Sequence, residues 1–248
     1  EQLAQVKYFR RANPFAAQVH SHVLQVTTTD LDQAFQAFFR RVKAGDKPGY
    51  PRFKGQGRFS SFGLKELGNG FKLDGRRLRL SGIGRVAVRW HRPIAGTIKT
   101  LRIVRQADGW YACFACEVEP QPWPATNAEV GLDVGLHSLI TTSDGEKIEN
   151  PRWYRSEQKR LRVLQRRISR RTKFGRNWST AVKAVQNQHQ HIANRRKDFL
   201  NKLANDLVLR YDRIAVEDLQ ISNMVRNHHL SKSILDAGWG YLRQQLAR

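Results

Sequence analysis

The spacing of apolar and polar positions divides the chain into three stretches with different periods. In the first, Leu31, Ala34, Phe35, Phe38, Phe39 and Val42 recur at the three-and-four spacing of an amphipathic helix. Thr29 or Asp30 stands where such a helix would be capped, and Gly45 where it would end. Upstream, Pro14 breaks any helix that residues 2–10 begin. From 59 to 119 the period becomes two. Phe71/Leu73, Leu78/Leu80, Val86/Val88/Trp90, Ile98, Leu101/Ile103 and 110–118 read as strands. Asn69-Gly70, Asp74-Gly75 and Asp108-Gly109 supply the residues tight hairpins need. This stretch predicts a small antiparallel barrel or sandwich.

Gln121-Pro122-Trp123-Pro124 reads as a stiff linker, giving two domains, 1–124 and 125–248. Past it, VGLDVGLHSLI (130–140) and RIAVE (213–217) are short apolar runs of the kind that form interior strands. A strand over 137–143, an Asp144-Gly145 turn and a strand over 146–149 predict a mixed sheet of the ribonuclease H type. Between them lies a helical hairpin, 151–211. Asn150-Pro151 opens its first helix, which is expected to reach about Thr172. The second carries Trp178, Val182, Val185, His189, Ile192, Arg196, Phe199 and Leu203 as a seam alternating three and four. A polar loop (222–229) and a last helix with Ile234, Leu235, Trp239 and Leu242 follow. The fold class is α+β.

Charge narrows the function classes. The 248 residues hold 44 Lys and Arg against 21 Asp and Glu, a formal charge of +23. Such an excess points to a polyanionic partner, because cations gain by releasing counterions from phosphate. A membrane surface is the other anionic candidate, but no apolar run approaches a membrane span and no signal peptide opens the chain. Two cysteines, Cys113 and Cys116, do not make a disulfide scaffold, and a reducing cytosol suits them. Their spacing is half a zinc knuckle without a second pair, so they read as small core residues, and no zinc is expected.

Asp133 and Glu217 are the candidate catalytic and metal-binding residues. If their strands lie side by side, two hard oxygen ligands converge, as Mg²⁺ prefers, with Mn²⁺ as a substitute. The bland alternative is an acid at a strand end, solvated or paired with one of the many arginines. Gly131 and Gly135 weigh against it, since an ion pair requires no glycine on either side. The hairpin's first helix and its turn carry Arg160, Arg166, Arg167, Arg170, Arg171 and Lys173 among ten cations, with Glu157 the only acid. A one-sided charge face is usually solvated surface, yet this one exceeds what solubility asks and predicts contact with a nucleic-acid backbone. Arg195 and Arg196 on the second helix join that set. Tyr50, Arg52 and Lys54 lie in a basic aromatic loop that either stacks bases or packs as a turn under Phe38 and Phe39.

Several segments together resemble the OrfB/TnpB family of transposon-encoded proteins, relatives of type V CRISPR effectors. They are DLDQAFQAFFR (30–40), GYPRFK (49–54), GLDVGL (131–136), KDFLNKL (197–203), VEDL (216–219) and SILDAGW (233–239). In this order they run along nearly the whole chain. The resemblance implies a β-barrel "wedge" domain with a helical recognition segment, then a RuvC-like nuclease domain. It implies RNA-guided DNA endonuclease activity in transposition, with a guide RNA from the transposon end and double-stranded target DNA bearing a short flanking motif. By motif match Asp133 and Glu217 are the first two acids of a catalytic trio, and Gln25, Arg52 and Lys54 lie where the recognition segment approaches DNA. The family's third acid sits in a later Asp-Arg-Asp-Xaa-Asn-Ala-Ala segment after a four-cysteine zinc ribbon; neither occurs here, nor does the wedge's opening strand. The expectation is therefore a partial nuclease domain that binds nucleic acid and cleaves poorly. Its rivals are a nuclease-dead RNA-guided DNA-binding regulator and a basic RNA-binding protein without enzymatic ancestry.

Overall fold

The computed structural model describes residues 2–55, 57–120 and 124–247. The chain forms two compact units, Glu1–Pro120 and Gln121–Arg248. Of the expected linker, Gln121, Pro122 and Trp123 lie outside the described residues.

Unit 1 opens with three helices, α1 (Gln2–Ala12), α2 (Pro14–Ala17) and α3 (Ser21–Lys43). Pro14 does end the first, and Asn13 caps the second by accepting from the N–H groups of Phe15 and Ala16. The third begins at Ser21, well before the expected cap at Thr29 or Asp30. Thr27, Thr28 and Thr29 instead donate their hydroxyls to the carbonyls one turn back, those of Val23, Leu24 and Gln25. Asp30 is turned outward and accepts a bidentate pair from Arg102 at 2.8 and 2.7 Å. That pairing holds the Asp30 carboxyl below its ordinary range.

Six strands follow: β1 (Ser61–Leu64), β2 (Phe71–Asp74), β3 (Arg77–Leu80), β4 (Gly84–Ala87), β5 (Thr97–Arg105) and β6 (Trp110–Glu117). They make two antiparallel three-stranded sheets, β1-β5-β6 and β2-β3-β4. The expected barrel does not close. No ladder joins β4 to β5 among the described residues, and the 88–96 segment between them, carrying Pro93, forms no strand. Both sheets contribute to one core of Leu64, Phe71, Leu78, Leu80, Leu101 and Ile103. The helix α3 packs tightly on β1: a Cβ on Gly63 would meet Val26 Cγ1 at 2.7 Å. On β6 the odd separation of Cys113 and Cys116 puts them on opposite faces, one exposed and one half-buried, so neither is the core cysteine expected.

Unit 2 is built on one mixed sheet of β7 (Glu129–Val134), β8 (Ser138–Thr142), β9 (Lys147–Glu149) and β10 (Arg213–Val216), in the order β10-β7-β8-β9. The β7/β8/β9 meander is antiparallel, and β10 lies parallel to β7. The hairpin is α4 (Trp153–Ser169) and α5 (Arg176–Arg210). The loop expected at 222–229 is partly helical, α6 (Ile221–Met224). The single last helix is two, α7 (Ser231–Ala237) and α8 (Trp239–Leu246), because Gly238 takes the left-handed conformation at φ 73° that ends a helix. Val130 and Leu132 on β7 point to one side, where Trp153, Leu161, Leu200, Leu207, Ile234 and Trp239 complete the core. Burying that face against helices is what fixes the strand register, since a slip of one residue would turn every apolar side chain outward. No described helix is long and apolar enough to cross a membrane.

Candidate functional site

Alternation along β7 sends Gly131 and Asp133 to the side opposite Val130 and Leu132. The parallel pairing of β10 runs Arg213↔Glu129, Ile214↔Val130, Ala215↔Gly131 and Val216↔Leu132. The ladder ends at Val216, and Glu217 follows directly after it. There Glu217 lines a shallow recess with Leu132, Val134, Val216 and Trp239. Asp133 and Glu217 are both exposed. The apolar neighbours of Asp133 in sequence, Val130 and Leu132, are on the other face.

The acids of unit 2 are mostly answered by the fold. Glu129 takes Arg213 at 2.6 Å, Glu146 takes Arg210 at 2.8 Å and Asp218 takes Arg243 at 2.5 Å. Asp212 accepts backbone N–H groups of Thr126 and Asn127, which lower its pKa. The side chains of Asp133 and Glu217 make no hydrogen bond or ion pair to any described residue. With 44 Lys and Arg in the chain, arginine pairing was the bland expectation for them, and it is not what the fold builds. No group of three or more His, Cys, Asp or Glu able to hold a metal occurs among the described residues.

The two flanking glycines differ in what requires them. A Cβ on Gly135 would lie 2.9 Å from the Ser138 carbonyl oxygen, so the β7–β8 turn itself excludes a side chain. At Gly131 the nearest atom to an added Cβ is Ser143 Cβ at 3.8 Å, ordinary contact. Packing therefore does not demand glycine beside Asp133, and its absent side chain keeps the acid's surroundings open.

On the hairpin, Arg160, Arg162, Arg166, Arg167, Arg170, Arg171 and Lys173 are exposed and have no carboxylate partner among the described residues. Glu157 is turned inward. It accepts from Gln188 at 3.0 Å and pairs with Arg195 at 3.6 Å. The seam of α5 thus runs through buried Gln188, and the exposed His189 expected there lies beside it. Arg196 is also engaged within the fold: it packs against Gly238 and reaches Asp236 at 3.4 Å. Neither role was visible in sequence, because the partners lie far along the chain.

Asp236 itself was missed. It is buried, and both its oxygens accept the Tyr154 N–H, at 2.9 and 2.8 Å, at the start of α4. Burial pushes its carboxyl pKa up, against the hydrogen bonds and Arg196 that pull it down. The SILDAGW segment that contains it offered the only hint.

In unit 1 the aromatic loop behaves partly as a packed turn. Tyr50 sits edge-on to Phe35 and Phe38, with ring centroids 5.7 and 5.3 Å away. Arg52 and Phe53 project into solvent, and the Lys54 ammonium lies 4.9 Å over the Phe59 ring. Gln25 is half-buried on α3.

Residues 113–228 match the OrfB_IS605 family, described as "Probable transposase". The chain is 34% identical over 245 residues to "Putative RNA-guided DNA endonuclease InsQ" of Escherichia coli (strain K12), an alignment covering 92% of this chain and 59% of that one. It is 35% identical over 236 residues to a "Putative RNA-guided DNA endonuclease" of Streptomyces pristinaespiralis, covering 94% of this chain and 57% of the relative. A Mycobacterium tuberculosis protein of the same description is 29% identical over 210 residues. The chain thus spans less than two thirds of the length of these curated relatives.

Proposed function

The chain belongs to the OrfB family of probable transposases, and from that membership we propose that it is an RNA-guided DNA-binding protein carrying the metal site of a RuvC-like nuclease core. The observation that carries the reading is that Asp133 on β7 and Glu217, just past the end of the parallel strand β10, are both exposed and have no ion-pair partner among the described residues. The strand order β10-β7-β8-β9, with one parallel pair flanking an antiparallel meander, supports a RuvC-like core.

Two carboxylates with open space around them fit a hard divalent cation, which takes oxygen ligands and completes its shell with water. Mg²⁺ held there would activate a water nucleophile and stabilise the departing 3′ oxygen of a phosphodiester. Asp133 and Glu217 do the holding, and Gly131 leaves room for the strand to approach. The exposed cations from Arg160 to Lys173 bind the backbone of a guide RNA from the transposon end or of its heteroduplex with target DNA. Gln25, Arg52 and Lys54 face the short flanking motif of the double-stranded target. The work is done in the prokaryotic cytosol or nucleoid, where both nucleic acids are found.

With no group of three or more His, Cys, Asp or Glu able to hold a metal among the described residues, this 248-residue chain cleaves slowly at best, because a two-ion site with an unfilled ligand position loses most of its rate. The same observation favours a second reading, a nuclease-dead guided DNA-binding regulator. Titration with Mn²⁺ followed by electron paramagnetic resonance separates the two. The nuclease reading expects ion binding that disappears in Asp133→Ala and Glu217→Ala while RNA binding persists. Equal Mn²⁺ binding by wild type and both variants, or none by any, removes the metal site and leaves the regulator. Rapid double-strand cleavage by this chain with Mg²⁺, guide and target would overturn the expectation of slow turnover.

A further inference from the structure

A cavity of about 360 Å³ opens in unit 2 between the β7–β8 turn, the start of α4 and the segment leading into α7. It is distinct from the Asp133 face: none of its lining residues is on β7, β8 or β10. Arg152 lines it from the position just before α4, Arg155 from α4, Lys232 from α7, and His137 and His229 from the two turns. Its one acid is Asp236, whose oxygens are already taken by the Tyr154 N–H and by Arg196. The side chains of Arg152, Arg155 and Lys232 have no carboxylate partner among the described residues. The remaining wall is mixed, with Tyr154 and Leu136 beside the amides of Asn150 and Gln158.

The combination is unlike the convex cationic surface of the α4 face. A solvated arginine on a helix needs no concavity, whereas three unanswered cations around a recess of this volume concentrate positive potential inside it. The recess is in the size range of small-molecule sites, which place a few polar groups on a partly apolar wall. A nucleotide matches it in size and sign. Its phosphate takes charge-assisted hydrogen bonds from two guanidinium groups and an ammonium, and its sugar and base meet the mixed wall. Arg152 stands at φ 48°, a left-handed position that an L side chain rarely adopts.

We propose that this cavity seats one nucleotide phosphate of the bound RNA strand through Arg152, Arg155 and Lys232. The proposal rests on the RNA-binding part of the reading above and is independent of the metal site. The phosphate has two sources, a 5′-terminal monoester or an internal diester. The test uses the 248-residue chain and two ten-nucleotide RNAs of one sequence, one 5′-phosphorylated and one with a 5′ hydroxyl, in fluorescence anisotropy at fixed salt. A cavity variant, Arg152→Gln/Arg155→Gln/Lys232→Gln, is compared with a control on the helix face, Arg166→Gln/Arg167→Gln/Arg170→Gln. Both remove three charges, so general electrostatic loss is matched.

The expected result is a loss at least tenfold greater in the cavity variant than in the control. Confined to the 5′-phosphorylated RNA, it assigns a terminal monoester; equal for both RNAs, it assigns an internal diester. A loss no greater than the control's for either RNA overturns the proposal. Should the triple variant fail to fold, Lys232→Gln alone against Arg166→Gln makes the same comparison, with thermal unfolding to verify both. Failure of the wild type to bind either RNA would instead overturn the RNA-binding reading, and Mn²⁺ binding at Asp133 would be untouched by any of these outcomes.

Discussion

Asp236 and Asp133 belong to the same compact unit, and the fold treats their carboxylates in opposite ways. Asp236 is buried where α4, α5 and α7 meet; it caps one helix and receives an arginine from another. Asp133 lies on the sheet face opposite Leu132, exposed and without an ion-pair partner among the described residues. The cations divide likewise. Arg196 and Arg210 hold acids inside the unit, while Arg166, Arg167, Arg170 and Arg171 face only solvent. Charges that the fold uses are matched locally. Charges that it leaves unmatched cost stability through mutual repulsion, and they are retained where a ligand of opposite sign completes them.

Outside the cavity, the largest effect should come from the unmatched cations. Replacing Arg166, Arg167, Arg170 and Arg171 with Gln removes four phosphate contacts, each contributing about 0.7 to the slope of log affinity against log salt for a single strand. The slope for RNA binding should become shallower by about 3, roughly a thousandfold in affinity at 0.1 M salt relative to the 1 M extrapolation. Thermal stability should hold or rise. An unchanged slope would mean that this face is merely solvated.

Next in size, Asp133→Ala should abolish Mn²⁺ binding while moving the unfolding free energy by less than about 0.5 kcal/mol, as at an ordinary surface position. Asp236→Ala should do the reverse. It leaves the Tyr154 N–H uncapped and Arg196 without its acid, for about 2 kcal/mol of lost stability, with metal binding unchanged. Asp236→Asn keeps an acceptor oxygen for the N–H and relieves the burial of charge, so it should recover much of that loss. Denaturant titration reads all three. Equal destabilisation by Asp133→Ala and Asp236→Ala would erase the distinction between them.

What the sequence disclosed and what it hid follow the same division. The strands of unit 2 were readable because apolar runs such as VGLDV and RIAV can bury only one way, which fixes both face and register. The features misread were set by contacts distant in sequence. Asp30 looked like a cap because its partner Arg102 lies on another element. His189 looked like a seam residue because Glu157, which draws Gln188 inward, lies on α4. The barrel stayed open because hairpin signals specify neighbouring strands and say nothing of whether the two ends of a sheet meet. Tyr50 kept both of its readings until its ring was found against Phe35 and Phe38.

Unit 1 extends the contrast to a group that the fold uses in its neutral form, with the smallest effect. His22 is buried on α3, edge-on to His20, with Glu66 Oε2 3.9 Å from its Nε2. Burial lowers its pKa from 6.5, helped by the charge of His20 and of Lys65 and opposed by Glu66. In the unfolded chain the imidazole takes a proton at about pH 6.5, whereas in the fold it resists until lower pH. Protons therefore favour the unfolded state in that interval, and stability should fall as pH drops below 6.5, levelling once His22 also protonates in the folded unit. Substitution by Gln removes the titration and should flatten this limb of the stability profile, measured by chemical denaturation between pH 7.5 and 5. A profile that keeps its slope in His22→Gln would place the acid sensitivity elsewhere, with His20 the next group to test.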